Sequence, residues 1–296
     1  KGEIDYLTKI TKPDLGIITN VSYAHSKNFK NINQIANAKA EIMNNIKKDG
    51  TIILNKDDKF YNHHKNIASK KKLKVISFGI NSKSSTLKLI KIREIENKYE
   101  LFVSLDGSLI SFYSQNNNKS HLYNILATLA SINVFTDIKN LKKNIFLNFK
   151  TPSGRGDISK VKLKNKFFFL VDETYNSNPL SLKSAIKNYD KINLKKSNKY
   201  MLIGDMLELG SHSRRLHRSI APIINQSKID KVYVKGKMAS IIFKDISKAK
   251  KGRILLNKSQ IIELIRKDLN NNDYLMIKAS LATGFNDIVK DLKGLR

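Results

Sequence analysis

Two short apolar runs, Phe167 to Val171 and Tyr200 to Ile203, each stop abruptly in a polar segment that carries carboxylates, and this arrangement constrains the fold more than any other feature. The first run enters Asp172-Glu173-Thr174-Tyr175-Asn176-Ser177-Asn178-Pro179; the second enters Gly204-Asp205-Met206-Leu207-Glu208-Leu209-Gly210. From Phe167 onward strand patterns alternate with helix patterns: Phe167 to Val171, Leu180 to Tyr189, Tyr200 to Ile203, His212 to Ile224, Lys231 to Val234, Ser259 to Leu269 and Tyr274 to Ile277. That rhythm predicts a doubly wound parallel sheet. Ligands of such sheets bind outside the carboxyl ends of the strands, so two acidic loops at two strand ends predict one shared site.

The first half reads differently. Leu15 to Val21, Thr51 to Asn55 and Lys74 to Phe78 are predicted strands, and Asn33 to Lys48 is a predicted helix with Ile35, Ala38, Ile42 and Ile46 on one face. Ser85 to Ser114 alternates apolar and polar residues around an Asp106-Gly107 turn, the pattern of an antiparallel meander. Helices are expected from His121 to Val134 and from Ile138 to Leu147. Thr151-Pro152-Ser153-Gly154 then interrupts the pattern and marks a junction. The fold class is therefore α/β, with a mixed sheet and meander over residues 1–157 and a Rossmann-like doubly wound domain over 158–296.

A length of 296 residues suits two domains, and 41% hydrophobic with 27% charged residues leaves enough apolar material for two cores. No long apolar run is present, so no membrane span is expected. The absence of cysteine excludes a disulfide, a thiolate nucleophile and a Cys-ligated metal, and makes the cytoplasm the default compartment. The chain opens Lys1-Gly2-Glu3-Ile4, without methionine or a secretory leader, and reads as cut from something longer. Its net charge, 55 basic against 25 acidic residues, is +30, which raises nucleic acid as a partner. The charge is mostly lysine spread along both halves among asparagine and isoleucine, a codon-bias pattern, whereas a dedicated groove gathers arginine with aromatics. No specific nucleic-acid partner is expected.

Several residues are candidates for chemistry. His25 follows a strand in Asn20-Val21-Ser22-Tyr23-Ala24-His25, and Lys39 lies on the next helix in Ala38-Lys39-Ala40-Glu41-Ile42. Read alone, each fits an ordinary hydrogen-bonding or solvated side chain as well as a ligand. Tyr123-Asn124-Ile125-Leu126-Ala127 fits a helix start, and Asn176 or Asn178 before Pro179 fits a helix cap.

Taken together these segments resemble the Mur ligase family, in its branch that joins D-alanyl-D-alanine to UDP-N-acetylmuramoyl-tripeptide. Gly204-Asp205-Met206-Leu207-Glu208-Leu209-Gly210 with Ser213 and His217 is similar to the family's Gly-Asp-Met-x-Glu-Leu-Gly-x-x-Ser-x-x-x-His, the most specific of the matches. Asp172 and Glu173 stand at the Asp-Asp preceding Tyr-Asn-Ala-Asn-Pro, and Gly154-Arg155 at the family's Gly-Arg. The resemblance implies ATP and Mg²⁺ as cofactors and a truncated central ATPase domain followed by the C-terminal domain. It implies His25 and a carbamylated Lys39 as catalytic metal ligands, since carbamylation turns an ammonium into an oxygen ligand suited to Mg²⁺. It puts Asn124, Arg155, Asp172 or Glu173, Tyr175 and Asn176 on the nucleotide, and Asn178, Asp205, Glu208, His217, Lys278 and Ser280 on the substrate.

The implied reaction activates the tripeptide carboxylate as an acyl phosphate, which the dipeptide amine captures. A hinge at about Thr151 to Asp157 would close over it. The expected enzyme acts as a monomer. Ser120 and His121 depart from the family's His-Asn, Asn118 from its glycine, and Ala279 and Leu281 from Lys-Gly-Ser-Arg-Ala, where the arginine meets a substrate carboxylate. No Gly-x-x-x-x-Gly-Lys-(Ser/Thr) occurs, so the phosphate loop is expected upstream and the chain by itself is not expected to turn over ATP. A sister ligase such as another Mur ligase or folylpolyglutamate synthase, or a non-catalytic basic binding protein on the same scaffold, are the alternatives.

Overall fold

In the computed structural model, which describes all residues except His25, Lys150, Lys164, Asn165, 193–196, Leu295 and Arg296, the chain forms two units. One comprises Lys1–Ser22 and Phe29–Lys150, the other Tyr23–Asn28 and Thr151–Arg296.

The first unit runs α1 (Glu3–Thr11), β1 (Leu15–Ile18), α2 (Ile32–Ala40), β2 (Thr51–Asn55), α3 (Tyr61–Lys70), β3 (Lys74–Gly79), β4 (Leu87–Ile95), β5 (Lys98–Leu105), β6 (Ser108–Ser114) and α4 (Lys119–Ile132). Its sheet follows chain order, parallel from β1 to β4 and antiparallel from β4 to β6. The meander is made by tight hairpins, with Glu96 at φ 46°, Asp106 at φ 44° and Gly107 at φ 89°, the left-handed conformations that match strand twist. Phe78, Leu87, Leu101, Val103 and Phe112 bury against Leu122, Ile125, Leu126 and Leu129 of α4. Ile18, Ile52 and Leu54 join Met43 and Ala68 in a separate cluster.

Three expectations for this unit change. β1 stops at Ile18 instead of Val21, because the Val21 amide donates to Asp58 Oδ2 at 2.8 Å and not to a strand. The helix predicted to reach Lys48 ends at Ala40 and tightens into a 3₁₀ turn, Glu41–Asn44; it starts where the Asn31 side chain accepts from the Gln34 amide. The predicted helix from Ile138 to Leu147 is replaced by a 3₁₀ turn, Ile138–Asn140. Beyond that turn the Tyr113 amide donates to the Lys143 carbonyl and Phe146 bridges Ser114, so this backbone serves the β6 edge.

The second unit runs β7 (Asp157–Leu163), β8 (Lys166–Glu173), α5 (Pro179–Asp190), β9 (Lys199–Gly204), α6 (Ser213–Arg218), α7 (Ala221–Gln226), β10 (Lys231–Lys235), α8 (Ala239–Asp245), β11 (Lys251–Ile254), α9 (Lys258–Lys267), β12 (Tyr274–Lys278) and α10 (Phe285–Gly294). The strand order is β11-β10-β9-β12-β8-β7, parallel throughout except for β7 against β8. Two buried clusters line the sheet. One unites Met201, Ile203 and Met276 with α5 to α8; the other unites Leu202, Leu275 and Ile277 with α9 and α10. The single helix expected from His212 to Ile224 is two, and Pro222, which has no N–H to give, falls in the first turn of α7. Among the described residues no helix is long and apolar enough to cross a membrane.

Lys278 of β12 pairs with Glu173 on one side and Ile203 on the other, so the carboxyl ends of β8, β12 and β9 lie level. At this level packing is tight: a Cβ added at Gly204 would lie 2.6 Å from the Ala279 methyl and 2.6 Å from the Phe285 ring. Gly204→Ala is therefore expected to cost about 1–3 kcal/mol by overpacking. Adding Ala279→Gly should recover part of that loss in urea unfolding, and strictly additive effects would contradict the contact.

Candidate active site

Lys278 organises the strand ends of the second unit. Its side chain is 2% exposed, and Nζ donates to Glu173 Oε2 at 3.1 Å and to the Asn176 carbonyl at 3.0 Å. Burial pushes the ammonium below its ordinary value, and the Glu173 carboxylate opposes that shift. The Ser280 hydroxyl accepts from the Leu207 amide at 2.9 Å and donates to the Ser177 carbonyl at 3.2 Å. It thereby ties the loops after β8, β9 and β12 together. Asp205 Oδ1 accepts from the amides of Met238 and Ala239 at 3.1 and 2.7 Å, and so holds the start of α8.

The rim beside Glu173 is built by Asp157 and Asp172. Asp157 Oδ1 accepts from the Gly154 amide at 2.7 Å, and Asp172 Oδ1 accepts from the hydroxyl and amide of Thr174 at 2.7 and 3.1 Å. Lys293 of α10 donates to Asp157 Oδ2 at 2.7 Å and to Asp172 Oδ2 at 2.9 Å, and the two carboxylates hold its ammonium above the ordinary value against the pull of burial. Gly154 has φ +79°, and a Cβ there would lie 2.8 Å from the Tyr175 amide nitrogen. The turn this permits stacks the Arg155 guanidinium 4.1 Å over the Tyr175 ring. Both are solvent-exposed, as is Asn176.

Several of the expected contact residues make hydrogen bonds that hold the local framework. Asn178 is the N-cap of α5, accepting from the Ser181 amide in a capping box with Pro179 in the first turn. His217 is fully buried; its Nε2 accepts from the Met206 amide at 3.0 Å, which fixes the proton on Nδ1, and Nδ1 donates to the Ser213 carbonyl at 2.8 Å. Both ring nitrogens are engaged within the chain, and burial holds the ring below its ordinary value. Asp172 is 3% exposed with both oxygens engaged, and Glu173 is the half-buried member of the pair. Glu208 is exposed in the left-handed region at φ 60°.

In the first unit, Lys39 near the end of α2 is half-buried, and desolvation lowers its ammonium against the attraction of Asp58. An amine so placed fits carbamylation, which needs the neutral form. Asp58 Oδ1 and Oδ2 accept from the amides of Phe60 and Val21, each at 2.8 Å, fixing the start of α3 and the exit from β1. The expected second ligand, His25, lies outside the described residues, among which no group of three or more His, Asp or Glu is set to hold a metal. Asn124 is exposed on α4. The preceding Tyr123 donates to Asp57 Oδ2 at 2.9 Å, and Asp57 also accepts from the amides of Ile80, Asn81 and Ser82 at 2.6, 2.9 and 2.8 Å. Asp57, Asp58 and Lys293 were not singled out from the sequence; the first two end the run Leu54-Asn55-Lys56-Asp57-Asp58 after a strand, a signal of the same kind as the acidic loops of the second half.

Two family descriptions match the chain: "Mur ligase middle domain" over residues 1–132 and "Mur ligase, glutamate ligase domain" over residues 159–281. A UDP-N-acetylmuramoyl-tripeptide--D-alanyl-D-alanine ligase of Buchnera aphidicola subsp. Baizongia pistaciae is 30% identical over 98% of this chain and 61% of its own length. The protein of that name from Rickettsia prowazekii is 27% identical over 98% of this chain and 63% of its own. The chain thus spans less than two thirds of the curated relatives it matches. A crystal structure of MurF from Acinetobacter baumannii superposes with a TM-score of 0.84 at 22% identity, over 99% of this chain and 62% of that one. MurF ligase from Thermotoga maritima in complex with ADP gives 0.81 at 22% identity, over 99% and 64%; at these identities the likeness concerns the fold.

Lys293→Met should destabilise the second unit by about 2–4 kcal/mol, because Asp172 would stay buried without its counter-charge. Lys293→Arg should retain most of the stability, and an unchanged denaturation midpoint in Lys293→Met would contradict the brace. His217 makes a second prediction. Its folded value lies below the ordinary 6.5, so on acidification the unfolded chain takes up a proton that the folded one refuses. Stability is full above about pH 6.5 and falls as the pH drops toward the folded value. Urea titrations across this range should show a shallower decline in His217→Gln, and an identical slope would remove His217 as its source.

Proposed function

The chain belongs to the Mur ligase family, and on that premise we propose that it serves the ATP-dependent ligation of D-alanyl-D-alanine to UDP-N-acetylmuramoyl-tripeptide. The observation that carries the reading is the convergence of three loops at one level of the second sheet: the acidic segment after β8, the Gly204-to-Gly210 segment after β9, and Lys278 to Ser280 after β12. The names of the Buchnera and Rickettsia relatives supply the reaction.

In this reading ATP and Mg²⁺ supply phosphoryl activation of a carboxylate and neutralisation of the charge that develops on it. The chain's own groups bind and orient. Arg155, stacked on Tyr175, presents a planar cation to phosphate with its donors in a fixed fork. Glu173 offers a carboxylate to ribose hydroxyls, Asn176 stands beside it, and Asn124 offers an amide to adenine. Lys39, once carbamylated, would hold the metal, with His25 as the other ligand that the family resemblance implies. Lys278 holds Glu173 in place. Asp205, Ser280, Asn178 and His217 hold the loops from which Glu208 reaches solvent. The reaction belongs where ATP is available, in the cytoplasm, and a single copy of the chain suffices for these roles.

In the native-length protein, ADP release should require both UDP-N-acetylmuramoyl-tripeptide and D-alanyl-D-alanine. Lys39→Ala should reduce it to background, with partial rescue by short carboxylic acids. Wild-type turnover in Lys39→Ala would take Lys39 out of the mechanism, and ADP release driven by a single amino acid in place of the dipeptide would move the chain to another branch of the family.

A further inference from the structure

Lys235, the last residue of β10, is a half-buried cation that pairs with no carboxylate among the described residues. Tyr233 and Lys235 lie on one face of the strand, and Tyr233 belongs to the buried cluster that includes Phe285 of α10. The Lys235 ammonium accordingly stands 5.4 Å over the centroid of the Phe285 ring, within cation–π range. That ring is 1% exposed and also packs against Gly204, the residue of β9 that pairs with Lys235. Along β9 this is one residue beyond Ile203, where Lys278 pairs, so Lys235 stands where the loop after β9 departs.

The other cations at these strand ends are engaged. Lys278 donates to Glu173 and the Asn176 carbonyl, Lys293 bridges Asp157 and Asp172, and Arg155 stacks on Tyr175. The loop after β12 goes on through Ala279, Ser280 and Leu281 without a charge, although Leu281 is 49% exposed. Lys237, beyond Gly236, is exposed, and a hydrated lysine gains little from an ion pair. The order β10-β9-β12-β8 sets Lys235 three strand spacings from Glu173, roughly 14 Å across the sheet. An extended dipeptide spans about 7 Å. It fits between them with its amine toward the nucleotide groups on the β8 side and its carboxylate toward β10.

We propose that Lys235 binds the terminal carboxylate of the incoming dipeptide and so selects an acceptor that ends in a carboxylate. The inference rests on the reading of D-alanyl-D-alanine as the acceptor. The amine of that dipeptide must be neutral to attack, whereas its carboxylate stays ionised and needs a counter-charge wherever water is excluded. The Phe285 ring already takes the place of water on one side of the Lys235 ammonium, so a carboxylate meets a cation that is partly desolvated and held in one place.

The test is steady-state ADP release by the native-length protein with D-alanyl-D-alanine or D-alanyl-D-alaninamide, which lacks the negative charge, as acceptor. The wild type should favour the acid over the amide in kcat/KM by about tenfold, the equivalent of one charge-assisted hydrogen bond. Lys235→Met keeps the apolar stem over Phe285 and loses the charge. It should raise KM for the dipeptide by about tenfold, leave KM for ATP and for UDP-N-acetylmuramoyl-tripeptide unchanged, and use acid and amide equally well. Lys235→Arg should keep the preference for the acid. If Lys235→Met does not fold, Lys235→Gln is judged by the same criterion. A wild type indifferent to the amide, a charge-less variant that still prefers the acid, or an equal rise in all three KM values overturns this proposal alone. A wild type that releases no ADP with the dipeptide overturns the reading of the acceptor and this proposal with it.

Discussion

The second unit depends on one buried ammonium. Lys278 enters the sheet on β12, between β8 and β9, and an uncompensated cation at that depth would be intolerable. Its partner Glu173 is the last residue of β8, and the ammonium also donates to the Asn176 carbonyl, so the charge that must be neutralised also fixes the path of the chain leaving β8. The Ser280 hydroxyl extends the same constraint to the loop after β9. Loops that would otherwise move independently are held as one surface by polar groups that cannot be left unpaired.

The first unit solves a related problem with carboxylates. Asp57 gathers amides from the stretch after β3 and the Tyr123 hydroxyl of α4, and hydrogen bonding holds it below the ordinary value although burial opposes this. Asp58, its neighbour, takes the amides at the exit of β1 and the start of α3. Two adjacent acids thus satisfy backbone donors that no helix or strand claims.

Most of the architecture was legible because it is periodic. The alternation from Phe167 onward gave the doubly wound sheet, and the meander declared itself through Asp106-Gly107. Errors fell where a partner distant in sequence decided the outcome: Ile138 to Leu147 has helix-like spacing, but its backbone is drawn to β6. The candidate site residues were singled out through motif spacing, which marks a residue without telling whether it faces solvent or framework. His217 and Asp172 carry the motif and are buried braces; Arg155 and Tyr175 carry it and are exposed. Lys293 has no local signal, because it acquires its role from residues more than a hundred positions away.

The strand order of the second sheet has a consequence for synthesis. β12 is the last strand of this unit to leave the ribosome, yet its place is in the middle, with β8 on one side and β9 on the other. Until it arrives, β8 and β9 have no neighbour at that gap, and each presents an open hydrogen-bonding edge. The unit is therefore committed to wait: its central strand, its buried cation and the helix that braces its rim are all delivered together, after its other strands have been made. A pause just upstream of Tyr274 would prolong the interval in which a nascent chain offers two adhesive edges to its neighbours.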